Sequence, residues 1–236
     1  MLESAQLRFI AEDTLLVEYG DRLDETLYHK VLILDSALRD CAIASQLETL
    51  PTFRSLIIKF DAFSISHDTL LETLSTLDTA HMHLTGQTWR VPICFEGECA
   101  QDIPEVSEIL GIEKAEIIRR ILRAPLKLYM YGFAPGFAYL GGLDAKLSIG
   151  RRDTPRAPMP KGALMIAGGL ASLSSVSMPT GWYVLGQTPV SMFTPQEKTL
   201  VPFAVGDELR LYAVSYDEFT ALQAMPATAG VEKIPQ

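Results

Sequence analysis

Two adjoining segments of the chain carry residue types suited to holding a small molecule. The first, Tyr131-Gly-Phe-Ala-Pro-Gly-Phe-Ala-Tyr-Leu-Gly-Gly-Leu143, combines glycines, a proline and aromatic rings. Glycine lets a backbone turn through positive φ or approach a ligand closely, and Pro135 fixes φ beside Gly136. Phe133, Phe137 and Tyr139 add flat apolar walls. The segment predicts a rigid loop lining a pocket, the alternative being an ordinary Gly-Pro turn with its aromatics in the core. The second segment, Arg151-Arg152-Asp-Thr-Pro-Arg156-Ala-Pro-Met-Pro-Lys161, places four cations within eleven residues, stiffened by prolines. Arginine's planar fork suits carboxylate or phosphate. Arg151, Arg152 and Arg156 therefore form a candidate anion site, the alternative being a solvated charged surface.

Acid–base chemistry is constrained by what is missing around these segments. All four histidines (His29, His67, His81 and His83) precede Thr88. A Ser-His-Asp or Cys-His device built within the C-terminal part is thereby excluded, and no Gly-x-Ser-x-Gly elbow occurs. Proton transfer there falls to Glu96, Glu98, Asp102, Asp144, Asp153, a tyrosine, a cysteine, Lys161 or a partner chain. Glu98 is the chosen catalytic candidate. No Gly-x4-Gly-Lys-Ser/Thr loop is present, so the chain has no P-loop of its own. Cys94 and Cys99 lack a following histidine to complete a zinc site, and no metal is expected.

The elements that must position these residues follow from hydrophobic periodicity. Gln6–Ile10 and Thr14–Tyr19 predict a β-hairpin around Glu12-Asp13. Leu23, Leu27, Val31, Leu34, Leu38 and Cys41 recur at spacings of four and three, which predicts a long helix after Asp21. Ser55–Phe60 predicts a buried strand, Leu70, Leu71, Leu74 and Leu77 a second helix, and Thr88–Phe95 another strand, giving a sheet covered by two helices. Two short helices are expected at Gln101–Leu110 and Glu113–Arg123, separated by Gly111. After Leu126 short apolar runs alternate with Gly and Pro: Leu128–Tyr131, Ala163–Ala167, Trp182–Leu185, Ser191–Phe193 and Glu208–Tyr212. This pattern predicts a β-barrel or sandwich with long loops. The expected organisation is a small α+β domain at 1–87, a mainly-β barrel domain at 88–224 and a frayed C-terminal tail at 225–236.

Composition bounds the partners and the compartment. With 236 residues, 48% apolar and 21% charged, the chain has the balance of a globular protein with a sizeable core. The net charge of −9, without a long basic run, argues against nucleic acid as a partner. No apolar run is long enough to span a bilayer, and Met1-Leu2-Glu3-Ser4 shows no basic-then-apolar signal pattern. Cys41, Cys94 and Cys99 give no disulfide framework. A cytoplasmic location is expected.

Taken with their order and spacing, these motifs resemble the family that contains the B component of 5-oxoprolinase, the Kip inhibitor of a sporulation kinase, and allophanate hydrolase subunit 1. The matching residues are Val91-Pro-Ile-Cys-Phe95 with Gly97-Glu98, and Gly132-Phe-Ala-Pro-Gly-Phe-Ala-Tyr-Leu-Gly-Gly-Leu143. Arg151-Arg152-x-Thr-Pro-Arg156, Pro160-x-Gly162, Ile166-Ala-Gly-Gly169, Pro179-x-Gly-Trp182 and Gly186-x-Thr-Pro189 complete the set. The resemblance implies a small α+β domain followed by a cyclophilin-like β-barrel. It also implies a heteromeric complex with a C-type and possibly an A-type subunit. That complex uses ATP to open 5-oxoproline to glutamate, the amide carbonyl being activated by phosphorylation before water attacks. Fixed cations against the developing charge, as at Arg151, Arg152 and Arg156, fit such a step.

The chain departs from the family where Gly-Gln-Thr-Gly-Ile-Tyr-Pro becomes Gly169-Leu-Ala-Ser-Leu-Ser-Ser175. Leu170, Ala171 and Ser174 thus replace hydrogen-bonding groups, Ala163 stands for an expected serine, and Gln187 for a frequent arginine. Such losses alter what a loop binds. The alternative function is a non-catalytic regulator of the Kip-inhibitor type that binds a sensor histidine kinase.

Overall fold

The computed structural model describes residues 5–22, 24–77 and 86–235. Leu23, His81, His83 and the first four residues, all of which carried sequence expectations, lie outside them. Chain contacts divide the molecule into two units, Met1–Thr85 and Gly86–Gln236.

In the first unit, strands β1 (Gln6–Ala11) and β2 (Thr14–Glu18) form the expected antiparallel hairpin. Helix α1 (Glu25–Arg39) follows, then β3 (Leu47–Pro51), β4 (Ser55–Phe60) and α2 (His67–Thr76). The four strands pair antiparallel in the order β1-β2-β4-β3. Helix α1 starts at Asp24, whose carboxylate accepts from the Thr26 amide at 2.7 Å, with Glu25 in the first turn and Arg39 in the last. Those charges complement the helix dipole. Leu15 and Val17 of β2, Leu56, Ile58 and Phe60 of β4, and Val31, Leu34, Leu38, Leu70 and Leu74 of the helices share one core. Each such side chain stabilises by roughly 1.5–3 kcal/mol relative to exposure.

Strand β3 was not expected, because Glu48 and Thr49 interrupt its apolar residues. It is held by pairing with β4 and by the Thr49 hydroxyl, which donates to the buried Asp35 of α1. Strand β3, rather than Thr88–Phe95, is the fourth member of this sheet.

The second unit begins with β5 (Thr88–Cys94), a 3-10 turn at Gly97–Ala100, and helices α3 (Ile103–Leu110) and α4 (Lys114–Arg123). Gly111 ends α3 in the left-handed conformation at φ 64°, where a side chain would be strained. The remaining strands are β6 (Leu126–Tyr131), β7 (Ala138–Gly141), β8 (Arg156–Met159), β9 (Ala163–Ala167), β10 (Leu170–Leu173), β11 (Met178–Thr180), β12 (Tyr183–Gln187) and β13 (Glu208–Val214). Helix α5 (Tyr216–Gln223) and strand β14 (Glu232–Ile234) close the unit.

Seven strands run β12-β9-β10-β7-β6-β13-β5, and β12 meets β5 again at Gln187 and Cys94, which closes a barrel. The fold is therefore an α+β unit followed by a mainly-β barrel, as the sequence predicted. Strands β5 and β13 pair in parallel, and the other pairings are antiparallel. Alternation along the wall sorts the side chains. Val91, Ile93, Leu126, Leu128, Leu164, Ile166, Leu173 and Leu185 pack with Ile103, Val106, Ile117 and Ile121 of the helices. Their neighbours Ala163, Met165 and Val184 face a second cluster with Phe137 and Met159. The wall between β7 and β12 is thus buried on both sides, and the separate two-stranded β8–β11 sheet contributes Met159 and Met178 to the second cluster.

Three expectations are corrected here. Ser191–Phe193 forms no strand. A helix follows the barrel, because Ser215 and Glu218 make a reciprocal capping box that nucleates α5. The segment from Ala224 is not frayed: β14 pairs antiparallel with β5, and the Tyr212 hydroxyl donates to Gly230 O at 2.8 Å.

Candidate functional site

The Gly-rich aromatic segment is the tight connection between β6 and β7. Its turn is closed by its own backbone: Gly132 N donates to Phe137 O at 3.1 Å, Ala134 N to Gly132 O at 2.9 Å, and Phe137 N to Ala134 O at 3.0 Å. Gly136 has φ 72°, and a Cβ there would lie 2.4 Å from the Met192 carbonyl oxygen, so only glycine fits. Phe133 also has positive φ, at 69°, and its ring is 77% exposed. A bulky side chain in that conformation is strained, and such strain concentrates at functional loops. Pro135 sits exposed at the tip, whereas Gly136 and Phe137 are buried.

The rings form a ladder. Phe133 and Phe137 have centroids 5.7 Å apart, Phe137 and Tyr139 5.0 Å, and Tyr139 and Trp182 5.9 Å. These four rings, Arg151, Met178, Pro179, Thr180 and Gly181 surround a pocket of about 180 Å³. Burial pushes the Tyr139 phenol above its ordinary range, with the Arg151 charge pulling the other way. The structure therefore brings together Phe133, Phe137, Tyr139 and Arg151 from the sequence-predicted set.

It separates the other two arginines from them in role. Arg156 lies on β8, its guanidinium 2.9 Å from Asp102 and 3.0 Å from the Gln101 side-chain oxygen. Arg152 pairs with Glu105 at 2.5 Å, stands 3.6 Å from Asp102 and stacks over Tyr183 at 5.0 Å. The Glu105 carboxylate is the chief cause of its raised pKa. Asp102 is only 2% exposed and also accepts from the Val184 amide at 2.7 Å. A buried carboxylate needs such partners, and two of the three arginines supply them. Arg151 is exposed and has no ion pair or hydrogen bond among the described residues.

Glu98 is exposed in the 3-10 turn at Gly97–Ala100 and is not among the residues lining the aromatic pocket. Glu96 instead accepts from the Tyr216 amide at the start of α5. Asp144 pairs with Arg120, and Asp153 and Lys161 are exposed. Cys94 and Cys99 are buried beside Phe219, and burial pushes the Cys99 thiol up to about 12. Among the described residues no three His, Cys, Asp or Glu side chains cluster as a metal would require.

The departures from the family pattern have structural roles. The Ser174 hydroxyl is buried, accepts from the Ala163 amide at 2.9 Å and donates to Pro160 O at 3.2 Å. Gln187 donates to Lys161 O at 2.9 Å. Both knit the turn that enters β9. Ala171 is buried in the barrel core, and Leu170 is half-buried. Sequence reasoning did not single out Trp182 or Met178 as pocket residues. The only local signal was the Pro179-x-Gly-Trp182 motif, since the β8–β11 pairing that presents it is tertiary.

Comparison with known proteins agrees with this architecture. The chain is 25% identical over 231 residues to the B subunit of 5-oxoprolinase from Bacillus subtilis, covering 92% of this chain and 95% of that one. It is 31% identical over 125 residues to the corresponding 5-oxoprolinase chain of Haemophilus influenzae, covering 53% of this chain and 59% of that one. Among solved structures, TTHA0988 superposes with a TM-score of 0.77 at 24% identity, over 89% of this chain and 41% of that chain. The urea carboxylase of Kluyveromyces lactis superposes at 0.73 and 16% identity, over 98% of this chain and 24% of that one. These two likenesses concern the fold, and this chain spans only part of either protein. The family described as carboxyltransferase domain, subdomain C and D, matches residues 5–203, and the chain belongs to that family.

Proposed function

We propose that the chain is the B-type subunit of an ATP-dependent amide or lactam hydrolase, opening 5-oxoproline to glutamate or acting on a related cyclic amide. The observation that carries this is the correspondence over nearly the whole chain to the B. subtilis protein named as a 5-oxoprolinase component. The pocket supports it: flat rings suit a small cyclic amide, and a cation beside them suits its carboxylate. The amides of Gly132, Ala134 and Phe137 are consumed within their own turn, so the loop does not offer them to a triphosphate. ATP would therefore be bound by another member of the assembly, with C-type and A-type chains as partners.

The test is co-expression with C-type and A-type subunits, purification of the assembly, and measurement of glutamate and ADP formed from 5-oxoproline and ATP. The expected result is stoichiometric release of both by the assembly and none by the isolated chain. An assembly that forms yet releases neither overturns the proposal. Inhibition of a sensor kinase's autophosphorylation by the chain alone would favour the regulatory alternative.

A further inference from the structure

We infer that a groove at one end of the first unit's sheet, with Phe63 beside it, docks a lysine- or arginine-bearing segment of a partner protein, the C-type subunit. The choice of that subunit rests on the proposed function, which calls for it as a partner. The surface itself is read from this chain alone.

Strand pairing builds the groove. Lys59 of β4 lies opposite Thr14 of β2 on one side and Glu48 of β3 on the other. The β1–β2 turn, the start of β3 and the end of β4 therefore meet, and the Phe60 amide donates to Asp13 O at 3.0 Å across the junction. Asp13, Glu48, Asp61 and Lys59, with apolar surface from Leu47 and Phe60, line a groove there of about 570 Å³.

Charge selects the occupant. Three carboxylates stand against one ammonium, and none of the three forms an ion pair among the described residues. The Ser64 hydroxyl at 2.6 Å and the Phe63 amide at 3.0 Å hold the Asp61 carboxyl below its usual range. The whole unit leans the same way. Of the 29 acidic and 20 basic side chains, 14 and 6 fall in Met1–Thr85, a net −8, which leaves −1 for Gly86–Gln236. Such a field draws a cationic surface and repels nucleic acid, an anionic membrane and the same face of a second copy. Among the described residues these carboxylates do not cluster tightly enough for a metal ion. The groove thus suits cations spaced along a polypeptide.

Phe63 supplies an anchor. Its ring is fully exposed, yet the turn that carries it is firmly built. The Ser64 and Ile65 amides donate to Asp61 O at 3.0 and 2.9 Å, and the Ile65 side chain is buried in the unit's core. A ring presented so rigidly loses little freedom when a partner covers it. An aromatic anchor beside polar, charged surface is the usual anatomy of a protein interface. Single exposed apolar residues are ordinary, but this one shares the Asp61 turn with the groove.

The experiment immobilises the full chain and titrates the purified C-type subunit by biolayer interferometry, from low to high salt. Phe63→Ser is expected to weaken binding about tenfold or more, the loss typical of an interface anchor. Asp13→Asn with Glu48→Gln is expected to weaken binding at low salt and to flatten its salt dependence. Leu200→Ser, which removes an exposed apolar side chain of the second unit, should bind as wild type does. Equal melting of Phe63→Ser and wild type verifies folding.

No binding of the C-type subunit, unchanged affinity in Phe63→Ser, an equal loss in Leu200→Ser, or binding that salt does not weaken each overturns the inference. Self-association of the chain that Phe63→Ser abolishes, with C-type binding unaffected, would give the surface to a second copy and overturn it too. An assembly that opens 5-oxoproline and forms normally with Phe63→Ser ends the inference and leaves the function standing. Phe63-dependent binding in an assembly that opens no lactam does the reverse.

Discussion

Asp102 accepts from Arg156 and the Val184 amide with Arg152 close by, and this fixes what each arginine can do. Arg156→Gln would leave Asp102 with one more distant cation and one amide, at a cost of about 1–3 kcal/mol. Asp102→Ala would leave Arg152 with Glu105 and Arg156 with Gln101 but take the acceptor from the Val184 amide as well as the carboxylate from both cations, and should cost more than Arg156→Gln. Denaturant midpoints of the two variants test this order, and a neutral Arg156→Gln would contradict the pairing. From sequence, Arg156 promised a grip on an anion. The spacing of Arg151, Arg152 and Arg156 could not separate them, because Asp102 and Glu105 lie far upstream at the start of α3 and meet them only in the folded barrel. The aromatic pocket was more legible. Phe133, Phe137 and Tyr139 share one tight turn whose Gly and Pro content announces itself locally, whereas Trp182 and Met178, brought by the pairing of β8 with the distant β11, escaped.

At the scale of elements, the sequence showed those whose own residues repeat with a clear period. Helix α1 and strand β9 are apolar enough to stand out, β9 being buried along all five residues. Strand β3 and helix α5 were missed, since their stability comes from partners and a cap rather than from an apolar stripe. In α5 the Ser215 amide and hydroxyl bond the Glu218 carboxylate, the amide at 2.8 Å, and these bonds hold its pKa below the usual carboxylate range. The sign follows from linkage: a depressed folded-state pKa adds stability above the ordinary carboxylate range, and that stability is lost as pH falls through the depressed value. Glu218→Gln should therefore melt lower than wild type near about pH 7, and the gap should close on acidification towards about pH 3. A gap that stays constant across that interval would rule out the ionised cap.

At the scale of the whole molecule, no described helix is long and apolar enough to cross a membrane. The second unit owns a continuous core drawn from the barrel strands, α3 and α4. Residues 86–236 made alone should therefore melt cooperatively, as scanning calorimetry would show, while a broad transition or an insoluble product would count against an autonomous barrel. The barrel's seam has a further consequence for synthesis. Every strand that pairs with β5, namely β12, β13 and β14, comes from Tyr183 or later, and the longest of these ladders is the parallel one formed by Glu208–Val214. A chain emerging from the ribosome must carry β5 unpaired until most of the unit has been translated. Non-local parallel pairing is intrinsically slow, and open strand edges invite association with other chains. The interval between emergence of Thr88 and arrival of Val214 is thus when this protein most needs a chaperone.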